Sequence, residues 1–142
     1  MYISFLSIGL GAVLGAWIRW GISLQFNQYF PNIPLGTVLV NLVGAFIIGF
    51  AVTFFASSSL NPNYKLFLIT GFCGALTTFS TFSTFSTFST FSTFSTFSTF
   101  SIEVVSLLQS GKFEYAILTI TVHVLGSLLF TLLGIFTYQL TT

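Results

Sequence analysis

Thr77–Ser101 reads TTFSTFSTFSTFSTFSTFSTFSTFS, one threonine followed by eight Thr-Phe-Ser units. It is entered through Gly71-Phe72-Cys73-Gly74-Ala75-Leu76 and left through Ile102-Glu103-Val104-Val105. On an α-helix a residue recurring every three positions advances about 300° per copy, so the phenylalanines wind around the cylinder and leave no single apolar stripe. Thr, Phe and Ser are indifferent helix formers in water, whereas lipid enforces helix by penalising unpaired backbone groups. Both flanks, 65–72 and 102–108, are apolar and read as helix. The tract therefore reads as a block set inside one membrane-spanning segment. As a single helix, 65–108 would extend roughly 65 Å, about twice the hydrocarbon thickness of about 30 Å. Removing six units restores an ordinary spanning length, and those ~18 residues make about five full turns, so the flanking faces stay in phase. In-frame slippage of a short DNA repeat is the simplest origin of the extra copies.

The rest of the chain reads the same way. Of 142 residues 54% are hydrophobic and 4% charged, which excludes a water-soluble domain. Apolar runs near 3–24, 35–56 and 114–138 join the interrupted 65–108, with the repeat at 78–101. The expected fold is an all-α membrane protein: one membrane domain of four transmembrane helices, the third broken near Gly74–Thr77 and lengthened or bulged by the repeat. Turn signals at Pro31 and Pro34, over 57–62 and at Ser110-Gly111 separate the runs. Arg19 sits deep in the first run and no basic segment precedes it, which argues against a cleaved leader. Lys65 would lie on the side of both termini, and Lys112 and Arg19 toward the other, so the charges set almost no orientation. Insertion both ways up follows as an expectation, and with it an antiparallel, two-fold homodimer.

Three segments carry a resemblance. They are Gly15-Ala16-Trp17-Ile18-Arg19-Trp20, Gly36-Thr37-Val38-Leu39-Val40-Asn41, and Gly71 to Ser83, GFCGALTTFSTFS. With them the chain resembles the small fluoride channels of the Fluc/CrcB family over nearly its whole length apart from the insertion. Family members resemble it with two Thr-Phe-Ser units followed closely by Glu-Val, here found only after the tract as Glu103-Val104. Gly74-Ala75 stands where Gly-Gly is common. The resemblance implies a dual-topology homodimer in the cell membrane that lets fluoride leave the cell passively. It assigns an anion path to Asn41, Thr37, Phe79, Ser80, Thr81 and Phe82; Arg19, the basic residue well inside an apolar run, reads equally as a side chain snorkelling to the interface and as one at an aqueous vestibule that attracts anions. It also implies a structural sodium ion at the dimer centre, held by main-chain oxygens of Gly74 and Thr77.

The chemistry suits that assignment. A pore for a small, strongly hydrated anion must replace water with donors that do not bind too tightly for release. An asparagine amide and hydroxyls are neutral donors, and the edge of a phenylalanine ring is the positive end of its quadrupole. Anchored from the glycine break, the phenylalanine pair is Phe79 and Phe82; anchored from Glu103 it is Phe97 and Phe100. The first is expected, because the break and the sodium site adjoin it in sequence.

Other residues have plainer readings. Cys73, the single cysteine, is a packing residue. Gly11-x-x-x-Gly15 and Ala45-x-x-x-Gly49 are small-residue spacings that let helices approach. Trp17 and Trp20 read as interface anchors. His123 has no acidic neighbour at helical spacing and reads as a packed, hydrogen-bonded residue rather than a proton relay. A proton-coupled multidrug transporter is one rival, but it wants an embedded carboxylate, and the runs at 3–24 and 35–56 contain none. A non-conducting protein that self-associates through the Thr-Phe-Ser array is the other. No nucleophile with a base and no phosphate loop points to an enzyme, and no basic surface points to nucleic acid.

Overall fold

The computed structural model describes residues 1–29, 33, 35–77 and 90–142, with side chains in the last stretch from residue 100 onward. Its elements, in order, are α1 (Tyr2–Phe26), α2 (Leu35–Ser57), a short α3 (Pro62–Lys65), a π-helical segment (Leu66–Cys73) and a last turn, α4 (Gly74–Leu76). After the undescribed residues come α5 (Thr90–Gln109) and α6 (Phe113–Thr141). Among the described residues there is no strand. Three helices, Tyr2–Phe26, Leu35–Ser57 and Phe113–Thr141, are long and apolar enough to cross a membrane, and Phe100–Gln109 is a shorter apolar helix. Their outward faces carry large apolar side chains, among them Leu6, Trp17, Trp20, Leu129 and Phe136. An apolar exterior on several long helices belongs in lipid, and the protein is a multi-pass membrane protein.

Two tight helix pairs build the core. In the first, α1 lies on the π-helical segment: a Cβ on Gly11 would run into the Phe67 carbonyl, and one on Gly15 into the Phe72 carbonyl. In the second, α2 lies on α6, where a Cβ on Gly49 would strike the Thr131 carbonyl and one on Gly134 the Phe46 carbonyl. Backbone-to-backbone approach of this kind supplies dispersion contact where lipid removes the hydrophobic drive between helices. The small-residue spacings on α1 and α2 are thus packing surfaces. The third pair member differs from a plain helix, because π geometry over Leu66–Cys73 brings the backbone against α1 with an extra residue per turn.

The connections are local. Asn27 Oδ1 accepts from the Gly36 amide at 2.8 Å and ties the end of α1 to the start of α2. Asn61 caps α3 by accepting from the Asn63 amide at 3.0 Å, and Pro62 sits at its first position. Between α5 and α6, Lys112 N donates to Leu107 O and Gly111 N to Leu108 O, with Gly111 at φ +73°. That is the left-handed glycine stop of a Schellman end, and it turns the chain back on itself at the signal Ser110-Gly111.

The break in the third segment falls one residue after α4. Gly71 and Gly74 themselves stay helical, and Thr77 is the first extended residue, at φ −103° and ψ 157°.

Candidate functional site

The polar residues of an otherwise apolar interior gather where α2, α5 and α6 meet. On α2, Thr37 and Asn41 are four apart and therefore share a face, and both are buried. On α6, Thr119, His123, Ser127 and Thr131 recur every four residues and form one buried column. Two hydrogen bonds cross between elements. Asn41 Nδ2 lies 2.7 Å from His123 Nδ1, and Thr37 Oγ1 donates to Glu103 Oε1 at 2.9 Å. From α5, the ring of Phe100 sits 5.3 Å from that of His123, tilted by 52°. Phe100 and Glu103 are three apart, so one face of α5 meets both neighbours.

Several polar side-chain atoms are buried without a hydrogen-bond partner among the described residues, Arg19 on α1 apart from the others on α5 and α6. They are the Thr119 and Ser127 hydroxyls, His123 Nε2, Glu103 Oε2 and Arg19 Nη1. Buried polar groups are nearly always paired, and each exception calls for a reason. Here the unpaired set contains the two neutral hydroxyls of the α6 column, Thr119 and Ser127, which are donors without an acceptor. Such a set can take over the hydration shell of a small anion.

The expected site residues fall as follows. Asn41 and Thr37 lie in the buried cluster. Arg19 is half-buried on α1, with Nη1 shielded rather than reaching freely outward. Phe79, Ser80, Thr81 and Phe82 lie outside the described residues. The alternative anchoring from Glu103 points to Phe97 and Phe100, and of these Phe100 has a described side chain, buried against His123.

Gly74 and Thr77 are both buried. Thr77 N and Oγ1 both donate to the Cys73 carbonyl, at 3.0 and 2.9 Å, and its methyl fills the space beside Gly44. The Gly74 carbonyl belongs to the last helical turn, Gly74–Leu76, ahead of the extended Thr77. A buried helix end with uncharged oxygens fits a hard cation. Among the described residues no group of His, Cys, Asp or Glu side chains could hold a metal, so a cation here would rest on main-chain oxygens.

Residues 6–135 match the family described as CrcB-like protein, Camphor Resistance (CrcB). The chain belongs to the CrcB-like family. It is 59% identical over 138 residues to the fluoride-specific ion channel FluC of Acinetobacter baumannii strain AYE, covering 97% of this chain and 95% of that one. The same-named protein of Acinetobacter baylyi is 57% identical over 139 residues, 98% of this chain and 96% of the other. That of Pseudomonas putida strain W619 is 50% identical over 139 residues, with 97% and 95% covered. The family is one of ion channels and not of enzymes.

Three members of the cluster receive no site role in a motif-led reading of this CrcB-like chain: Thr119, Ser127 and, though its Glu-Val motif is noticed, Glu103. A signal for the first two is present in the sequence. Polar residues at 119, 123, 127 and 131 form a four-residue period inside an apolar span, where each costs free energy unless it has a task or a partner.

Proposed function

We propose that this protein is a fluoride channel that lets fluoride leave the cell passively, built as a four-helix subunit in an antiparallel homodimer. The observation that supports it most is the buried column of donors on α6, Thr119, His123 and Ser127, whose His123 meets the Asn41 amide of α2. The relatives named fluoride-specific ion channels give the ion its identity. Fluoride would exchange water for these hydroxyls and the Asn41 amide, with Arg19 raising the local anion concentration at the entrance. The donors are neutral, so the ion is held weakly enough to leave.

The ring edge that faces the ion would come from the C-terminal end of the tract. Phe100 supports this reading, since it is packed beside Asn41's partner His123 and three residues before Glu103. Under this reading the fourth spanning helix is α5 together with its lead from the third segment. Gly74 and Thr77 would hold a structural sodium ion between two subunits. When bound, that ion supplies one positive charge at the centre of the dimer. The residues' own part is to end the helix there and keep its carbonyl oxygens out of water.

The test is release from reconstituted vesicles. Fluoride leaves when the membrane potential is collapsed, and chloride under the same gradient stays. Equal release of the two ions, or none of either, overturns the reading. A tag at the C-terminus labelled from both sides of the membrane is the outcome expected for antiparallel insertion.

A further inference from the structure

The short contact between Asn41 and His123 fixes more than a distance. Asn41 Nδ2 can only donate, so His123 Nδ1, 2.7 Å away, must accept. A neutral imidazole that accepts at Nδ1 carries its proton on Nε2. An imidazolium would place an N–H of its own against the amide NH2, donor against donor. Both residues are buried, with exposures of 1% for Asn41 and 0% for His123, so water offers neither an easy substitute.

We propose that His123 is a positioning residue, held as the neutral Nε2–H tautomer, that fixes the orientation of the Asn41 amide. The argument rests on the channel reading for its consequence, though not for the tautomer itself. An asparagine amide is planar, so committing one of its hydrogens to Nδ1 sets the direction of the other hydrogen and of the carbonyl oxygen. Without that bond the amide loses the acceptor that tells its NH2 end from its carbonyl end on the His123 side. His123 is itself held, because the Phe100 ring packs against it at 5.3 Å. Among the described residues, none of the groups on the helices that contact His123 supplies an ion pair that would demand an imidazolium. Helix α2 contains no titratable side chain, the nearest on α5 is Glu103, whose Oε1 accepts from Thr37, and α6's own Glu114 lies more than two turns away.

This chain has a single histidine, so the inference can be read directly. With 15N-labelled histidine, nuclear magnetic resonance of the reconstituted protein near neutral pH separates an accepting ring nitrogen from an N–H nitrogen. The expected spectrum has Nδ1 as acceptor and Nε2 as N–H. Asn41→Asp replaces the donor with an acceptor and should reverse the assignment, moving the proton to Nδ1. An Nδ1–H tautomer or an imidazolium in the unmodified protein overturns the proposal, whether or not fluoride is released.

The functional arm uses two substitutions. His123→Gln keeps a neutral acceptor for the Asn41 amide and should release fluoride faster than His123→Leu. His123→Leu has none and should slow release about five-fold, the rate equivalent of one hydrogen bond. Unchanged release from His123→Leu overturns the positioning role. If that variant fails to fold, Asn41→Leu in the spectrum decides instead: an unchanged pure Nε2–H signal refutes Asn41 as the residue that sets the tautomer, and a mixture supports it.

Discussion

Excising six Thr-Phe-Ser units should leave a working channel, and the structure says why. Because the units are identical, removing any six in register yields the same polypeptide, with Thr77-Thr-Phe-Ser-Thr-Phe-Ser running straight into Ile102. One phenylalanine then still precedes Glu103 by three residues, the spacing that lets Phe100 reach His123 while Glu103 reaches Thr37. At about 1.5 Å per residue the excision shortens a helix by roughly 27 Å, close to one hydrocarbon thickness. The contrasting perturbation is one alanine inserted between Ser101 and Ile102. It turns Glu103 by about 100° relative to Phe100, so the two contacts cannot both be made. Losing one of them is worth ~1 kcal/mol, about five-fold, and losing both about 2 kcal/mol, about 30-fold. Fluoride release from vesicles, read with a fluoride electrode at matched protein density, measures both variants. The excised protein should match or exceed the parent, and the insertion should slow release by at least five-fold or so. A silent excision beside a conducting parent would mean that the extra copies are working parts, and the reasoning would fall.

Three further outcomes follow from the same geometry. Thr119→Val and Ser127→Ala remove buried hydroxyls that have no described partner, so thermal stability in detergent should hold or rise while fluoride release slows; a stability loss would show that they are structural. Thr37→Val leaves Glu103 without its donor and should cost about 1–3 kcal/mol in unfolding, recovered by Thr37→Ser. Gly134→Val drives a side chain into the Phe46 carbonyl and should lose about 1–3 kcal/mol or prevent folding. Gly9→Ala, with nothing within 4 Å of an added Cβ, should be silent in the same melt.

How much of this could be read beforehand depends on whether the cause is local. The three long helices follow from run length and apolarity, the start of α3 from Asn61 and Pro62, and the end of α5 from the Ser110-Gly111 stop. Close approach at Gly11, Gly15 and Gly49 follows from spacing of small residues. The π-helical segment does not, because Leu66–Cys73 has no residue pattern that distinguishes it from an α-helix, and its geometry is matched to the backbone of α1 laid against it. The break follows from sequence in place but not in detail: Gly71 and Gly74 suggest it, and Thr77 makes it. Asn41 and Thr37 stand out as polar residues in an apolar span. Their partners do not, since His123 and Glu103 lie 82 and 66 residues away.

The tract itself shows why those distant partners matter. Eight identical units make a segment whose composition says nothing about register: a slip of one unit puts another phenylalanine where the first one stood, about 4.5 Å along the axis. Apolar packing alone tolerates such a slip, because the replacement side chain is the same. Glu103 is not repeated. If the helix slips by one unit, the carboxyl is carried about 300° around and away from Thr37, and a part-buried hydrogen bond is lost, since Thr, Phe and Ser supply no second carboxylate to remake it. The same slip takes His123 away from the one phenylalanine that lies three residues before a carboxylate. Register is thus set from the unique flank inward, through Thr37 and Glu103. The copy held in place by the unique flank is accordingly the last one, whose Phe100 packs against His123.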